Sequence, residues 1–529
     1  MGLPAFSVKR PVTTIMVFIG VMLLGFISWT RIPQELFPSI TYPQITVVTF
    51  YKDAAPEEIE ILITKIVEEG VGTVNGVRRI TSTSKEETSL VMVEFNWNIN
   101  MDLAALGVRE KIDLIKERLP RGADEPVVMK FNPFELPVMV LNITAKGFGP
   151  YSKSEELLEL TRKVIKNELE KVEGVASANL SGGAEREIQV DISASAIAAR
   201  GMPILSVVDT LGKANINYPA GTIKEEFFEQ LIRTIGEFEI VSEIPELPVY
   251  VERPEEGKMP PKRWKNIDED AGIDKEARRR RLVLLQDIAE IKDTVKEKTS
   301  IARYNGKDNV SVSIQKKAGS NTVQVSDNIK KALQRIQGEL PKDVEVRTAY
   351  DQSLFVKSSI AGVRDAALQG GVLAFFVLLF FLGSLKSALI VSATIPISIM
   401  FTFSLMYFSG ITLNMISLGG LALGIGMLVD NGIVVMENIV RRKQLGEEAK
   451  EASVSGASEV AGAIFSSTLT TVVVFLPMVF VVGIAGQLFK ELAFTVTFSL
   501  IASLYVALSL IPPLAAAKDN RPANEKPGL

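Results

Sequence analysis

A carboxylate interrupts the middle of one of the most apolar stretches of the chain. Residues 417–440 read SLGGLALGIGMLVDNGIVVMENIV, with Asp430 near the middle. An ionised carboxylate at the centre of a bilayer costs roughly 2.5 kcal/mol or more, so it has to face protein or water. Burial disfavours the charged form of a carboxyl group, which suits one held in a membrane to load and release a proton near neutral pH. Proton translocation is the chemistry expected of Asp430; a structural hydrogen bond inside the membrane is the alternative. Asn431 supplies a neutral hydrogen-bonding group beside it. Helical spacing sets Gly419, Gly426, Asp430 and Glu437 on one side. Gly420-x-x-x-Gly424 adds a small-residue surface on which a second helix can approach closely. Glu437 and Asn438, nearer the end of the run, read as a solvated helix terminus. A second set of polar side chains, Ser466, Ser467, Thr468, Thr470 and Thr471, precedes Pro477. Hydroxyls in membrane helices usually bond the carbonyl one turn back; relaying protons or bonding the carboxylate is the other role open to them.

The 529 residues include no cysteine and no histidine. That excludes disulfides, thiolate nucleophiles, Cys/His zinc sites, Cys-ligated iron–sulfur clusters, His-ligated haem and a Ser-His-Asp triad. Proton chemistry near neutral pH is left to carboxylates and lysines. Avoidance of cysteine in an oxidising compartment is a plainer account of that absence. With 58 basic against 62 acidic residues, nothing points to a nucleic-acid partner. Fifteen methionines could ligate copper(I), yet residues 32–366 hold no Met-x-x-Met cluster, so no metal site is expected. No constellation shows catalytic spacing; neither an enzyme nor a bound cofactor is expected.

Six apolar segments position these groups: 11–30, 367–385, 387–409, 415–437, 459–483 and 492–515. A composition 47% hydrophobic, with mean hydropathy +0.23, fits a membrane part joined to a soluble part. About 20 apolar residues span a bilayer. Lys9 and Arg10 precede the first segment as in a signal peptide. It lacks a small-x-small cleavage site and closes on Trp29 and Arg31, so an uncleaved spanning helix is expected. With six spans, Lys9, Arg10, Lys386, Arg441, Arg442, Lys443, Lys518, Arg521 and Lys526 fall on one side, which the positive-inside rule makes the cytoplasm. Lys490 is the exception. The chain thus divides into a first transmembrane helix (1–31), an extracytoplasmic domain (32–366), transmembrane helices two to six (367–515) and a cytoplasmic tail (516–529). In a bacterial inner membrane both termini would be cytoplasmic and the large domain periplasmic.

That domain reads as α+β. Strand 45–50, helix 56–71 and strand 90–95 form a first unit, with Ile59, Ile63, Ile66 and Val67 at helical spacing. Strand 137–144, helix 152–171 and strand 186–192 form a second; strand 309–315, helix 322–337 and strand 343–349 a third. Asn75-Gly76-Val77 and Glu173-Gly174-Val175 each follow a helix. The repeated βαβ units predict ferredoxin-like subdomains. Residues 252–281 stand apart, with Pro260, Pro261 and the run Arg278 to Arg281. They read as an exposed insertion loop, or as a docking surface for a partner or anionic ligand.

Four stretches carry a family resemblance: 32–60 (IPQELFPSITYPQITVVTFYKDAAPEEIE), 74–95 (VNGVRRITSTSKEETSLVMVEF), 215–238 (NINYPAGTIKEEFFEQLIRTIGEF) and 417–438 (SLGGLALGIGMLVDNGIVVMEN). With the helix pattern, they resemble half of a resistance–nodulation–division (RND) transporter of the hydrophobe/amphiphile efflux branch. The resemblance implies a multidrug-type antiporter, driven by the proton gradient, that exports hydrophobic or amphiphilic small molecules. In that family protonation of fourth-helix carboxylates is coupled to rotation of three protomers through different states. A periplasmic adaptor and an outer-membrane channel are the further partners it implies. Asp430 matches the proton-carrying aspartate. Asn431 matches a neighbour that is a second aspartate in many members, so the two-carboxylate site is absent. Ser467 and Thr468 fall near a hydroxyl position used in the second half of full-length members. Gly419, Gly420, Gly424 and Gly426 would pack the helix beside the relay. No pocket residue is assigned, because the family's pocket uses both halves. Heavy-metal efflux, or a non-transporting scaffold or lipid sensor on the same fold, are the competing functions.

Full-length members fuse two halves, with twelve helices and two porter lobes. Pairing with a second six-helix half, most simply a copy of itself, is therefore expected, and three such pairs would make a hexamer; a fragment of a longer chain is the alternative. Self-pairing would bring two Asp430 carboxylates together where full-length members usually present a lysine. Within about 4–6 Å they would titrate as a unit. The hairpin that reaches a neighbouring protomer looks short, around 221–232.

Overall fold

A computed structural model describes residues 2–517 apart from 39, 98, 131, 133–135, 147–152, 226–227, 235, 252–281 and 299. The expected insertion 252–281 and the tail from residue 518 lie outside the described residues.

Six helices are long and apolar enough to cross a membrane: Pro11–Arg31, Gln352–Leu382, Leu385–Phe408, Met415–Gln444, Ala449–Phe480 and Ile484–Ala516. They are the first to sixth helices in chain order. The second starts well before its apolar run. Asp351 caps it, accepting from the Ser353 backbone N–H at 2.9 Å. Gly383, at φ 60°, ends it in the left-handed conformation, and the third helix begins two residues later. Asn414 caps the fourth through bonds from the N–H groups of Ile416 and Ser417, while its own N–H donates to Ser417 Oγ.

The fourth and sixth helices meet where side chains vanish. A Cβ at Gly420 would lie 3.0 Å from the Leu492 carbonyl oxygen, and one at Gly424 only 2.7 Å from Ser499 Cβ. Lys386 Nζ donates to the Ala517 carbonyl at 3.1 Å and Lys443 Nζ to Ala515 at 2.6 Å. These bonds gather the turn after the second helix and the last turns of the fourth and sixth at one end of the bundle.

At the other end stand two four-stranded antiparallel sheets. The first runs Val77–Lys85, Thr88–Phe95, Gln44–Phe50, Val127–Lys130. Every second residue of Thr88–Phe95 is buried, the period-2 signature of a one-faced strand. Ile59, Ile63 and Val67 from the helical stretch 56–71, with Val108 and Ile112 from Met101–Ile115, close over Ile45, Val47, Val91 and Val93. The second sheet runs Val344–Asp351, Met139–Ala145, Val310–Lys316, Val175–Gly182. Ile165, Leu169, Val325 and Ile329 cover its buried Leu141, Ile143, Val312 and Ile314.

The second and third units read from the sequence are therefore the two halves of one sheet. The strand that joins it after the 154–170 helix is Val175–Gly182, not 186–192. Gly182 and Gly183, at φ 76° and 78°, turn the chain away. Arg186–Ile192 has no fully buried residue and pairs instead with Ala289–Val295. Between those strands the chain also makes the antiparallel hairpin Tyr218–Glu225 with Phe228–Thr234.

The second sheet grips the fourth helix through residues 33–36. Gln34 bridges Leu413, Glu35 N–H donates to the Leu413 carbonyl at 3.0 Å, and Met415 N–H to Leu36 at 3.2 Å. Thr322 N–H donates to the Gln34 carbonyl at 2.9 Å, and Lys316 Nζ pairs with Glu35 Oε1 at 2.7 Å.

Candidate functional site

The fourth helix has two small-residue faces with different fates. Gly420 and Gly424 are buried against the sixth helix. Gly419 and Gly426 have nothing within 4 Å of where a Cβ would stand. They continue through Ala422, Asp430, Val434 and Glu437 as an exposed stripe. Asp430 thus stands mid-helix on an open face, with no hydrogen bond or ion pair among the described residues. Its neighbour turns the other way, as a 100° step per residue requires. Asn431 Nδ2 donates to Ser503 Oγ at 3.3 Å, and Ser503 Oγ to the Leu428 carbonyl at 2.7 Å. The structure does not bring the Asn431 amide and the Asp430 carboxylate into a hydrogen bond.

On the fifth helix, Thr470 Oγ1 and Thr471 Oγ1 donate to the carbonyls of Ser466 and Ser467 at 2.8 and 3.1 Å. Ser467 is exposed. Thr468 is buried, and its Oγ1 has no hydrogen-bond partner. Neither is bonded to Asp430.

The end of the fourth helix is not simply solvated. Glu437 is exposed, but Asn438 is buried and locked to the fifth helix. Its Nδ2 donates to the Gly456 carbonyl at 2.8 Å and to Glu459 Oε2 at 3.0 Å. Arg441 and Arg442 reach the same Glu459 at 3.2 and 2.9 Å. Arg442 also meets Glu447 at 2.6 Å. In the turn between the helices, Ser455 and Arg442 hold the Glu447 carboxyl below the usual carboxylate range.

One further carboxylate escaped the sequence reading. Glu491 of the sixth helix accepts a hydrogen bond from Asn414 Nδ2. It lines a cavity of about 350 Å³ with Pro38, Ile40, Ile411, Gln487, Lys490 and Phe494. Among the described residues, no three acidic side chains gather into a set that could hold a metal ion.

The AcrB/AcrD/AcrF family model matches residues 3–258 and 270–524. The chain is 27% identical over 513 residues to the multidrug resistance protein MdtC of Pectobacterium atrosepticum, covering 97% of this chain and 47% of that one. Against MdtC of Photorhabdus laumondii it is 26% identical over 525 residues, covering 99% and 48%. It spans about half the length of these relatives. With nearly every residue inside the family match, the chain belongs to the AcrB/AcrD/AcrF family of RND efflux transporters.

Proposed function

We propose that this chain is a half-size unit of a proton-driven exporter of hydrophobic or amphiphilic compounds, in which Asp430 carries the proton. The observation that bears this reading is the open stripe of the fourth helix. A carboxylate in a spanning helix has to face protein or water, and Asp430 is exposed beside Gly419 and Gly426, which leave room for a closely approaching backbone. A second six-helix half, most simply another copy, packs there, and three pairs make the working assembly. Loading and unloading of the carboxylate changes the charge at that interface and drives the sheet domain through residues 33–36. Asn431, held to Ser503, keeps the helix in register, and Ser467 and Thr468 supply hydroxyls for the relay. The proton gradient is the energy source, and no bound cofactor or enzymatic step takes part.

The strand orders support reading the two sheets as ferredoxin-like porter subdomains. In each, the first strand lies between the fourth and third of its unit, with the second outside the third. The clustering of Lys386 and Lys443 at one end of the bundle supports cytoplasmic termini and a periplasmic sheet domain in a bacterial inner membrane. A periplasmic adaptor and an outer-membrane channel complete the export path. The multidrug resistance named in MdtC sets the substrate class to test.

Drug susceptibility of a pump-deficient host expressing the wild type or Asp430→Asn tests this function. Wild type is expected to raise resistance and the variant to lose it at equal membrane abundance. Equal resistance from both would sink proton coupling through Asp430.

A further inference from the structure

We propose that Glu491 is a second proton-binding group, one that exchange at Asp430 does not use, and that its protonation state sets the cap of the helix carrying Asp430. The proposal deepens the transport reading and rests on it for the proton's role in export.

Glu491 lies in the sixth helix at the end of the bundle nearest the sheet domain. Its Oε2 accepts from Nδ2 of Asn414, a side chain in a residue with 0% exposure. The other Nδ2 hydrogen goes to Thr412 Oγ1 at 2.8 Å, and Oδ1 accepts the Ile416 and Ser417 N–H groups at 3.0 and 2.9 Å. The cap is saturated, and the Glu491 carboxylate is the one member that can change charge. Glu491 lines the adjoining cavity beside the polar Gln487 and Lys490, which gives its carboxylate room to exchange a proton. Facing charges are few. Glu35, from the segment before the first sheet, repels it, and Lys490 on its own helix attracts it. From the fourth helix it meets the neutral Asn414, and the loop residues Ser409, Gly410 and Ile411 carry no charge.

A charged carboxylate only accepts hydrogen bonds; protonation turns one oxygen into a donor and removes the charge assistance from the Asn414 bond. The cap it weakens is where residues 33–36 grip Leu413 and Met415. Glu35 of the same strap is paired with Lys316 of the second sheet. Asp430 lies about 24 Å further along the helix, at 1.5 Å per residue. A proton arriving from the sheet-domain side at Glu491 therefore acts on the domain junction without passing Asp430.

Hydrogen–deuterium exchange of residues 409–420 in nanodiscs, corrected for the intrinsic rate and followed against pH, is the test. In the wild type, protection is expected to fall on acidification. In Glu491→Gln, which keeps an acceptor oxygen but cannot ionise, the pH response should be lost, whereas Asp430→Asn should retain it. A response that survives Glu491→Gln overturns the proposal. If that variant does not fold, Lys490→Gln serves: a shifted midpoint supports the site and an unmoved one refutes it. Full export by Asp430→Asn would defeat the transport reading alone, since the exchange response still decides Glu491.

Discussion

Among the described residues, Asp430 has no hydrogen-bond or ion-pair partner, whereas several polar side chains of the fourth and fifth helices are bonded within the bundle. Asn431 holds Ser503, and Thr470 and Thr471 return to their own helix. Thr468 differs in having an unpaired hydroxyl in a buried position. An unmade buried hydrogen bond costs about 1–3 kcal/mol. Thr468→Val, which keeps the shape, should therefore raise unfolding stability by about 1 kcal/mol in detergent. If the hydroxyl serves the relay, the same variant loses export; unchanged export would remove Thr468 from it. Asp351, at the cap of the second helix, is a structural counterpart. Burial opposes its charge, but the Lys330 ammonium at 2.6 Å and bonds from Ser353 and Ser326 outweigh it and hold its carboxyl below the usual range. A depressed pKa stabilises the fold above the unfolded value of about 3.9 and stops doing so as pH falls through the folded value. Asp351→Asn should therefore lower the thermal midpoint at pH 7, and the difference from wild type should shrink below about pH 4. The mid-helix carboxylate Asp430 was legible because apolar residues surround it. Glu491 was not, because the sixth apolar segment was cut at residue 492, one position after it. Asn438 was misread as solvated because its partners, the buried Gly456 and the exposed Glu459, come from another helix.

At the scale of elements, the sequence pattern marks all six spanning helices but not their lengths. The second begins at Gln352, where polar first turns lie against the helix Thr322–Glu339 rather than lipid. Apolar patterning located the strands near 45–50, 90–95, 137–144, 186–192, 309–315 and 343–349 and the helices over 56–71, 154–170 and 322–339, but missed the strands Val77–Lys85, Val127–Lys130 and Val175–Gly182 and the helix Met101–Ile115. Which strands share a sheet could not be read, since that depends on the turn at Gly182–Gly183 and on pairing across the long excursion to Val310. The glycines of the fourth helix were legible as a small-residue surface, yet not as two faces. Their division gives a test of opposite outcomes. Gly424→Ala drives a Cβ into Ser499 and should cost about 1–3 kcal/mol of stability. Gly426→Ala meets nothing and should leave the isolated fold intact, or gain up to about 1 kcal/mol from helix propensity. If a second half packs on that stripe, Gly426→Ala should nonetheless weaken assembly, seen as a lower oligomer mass in nanodiscs.

Across the whole molecule, the sheet domain and the fourth helix act as one body only if residues 33–36 transmit force. The Glu35–Lys316 pair is central to that strap. Removing one partner of a buried pair costs about 3–5 kcal/mol. Glu35 is 5% exposed and Lys316 21%, so Glu35→Gln should cost less, about 2 kcal/mol. Most of that loss should be recovered in the double variant Glu35→Gln/Lys316→Met, a coupling that a thermal-unfolding cycle reads directly. If proton flow through Asp430 drives transport, substrate flux in proteoliposomes under an imposed pH gradient has to differ between wild type and Asp430→Asn. Gradient-dependent flux in the wild type and none in the variant is the predicted result; gradient-driven flux of equal size in both would contradict it.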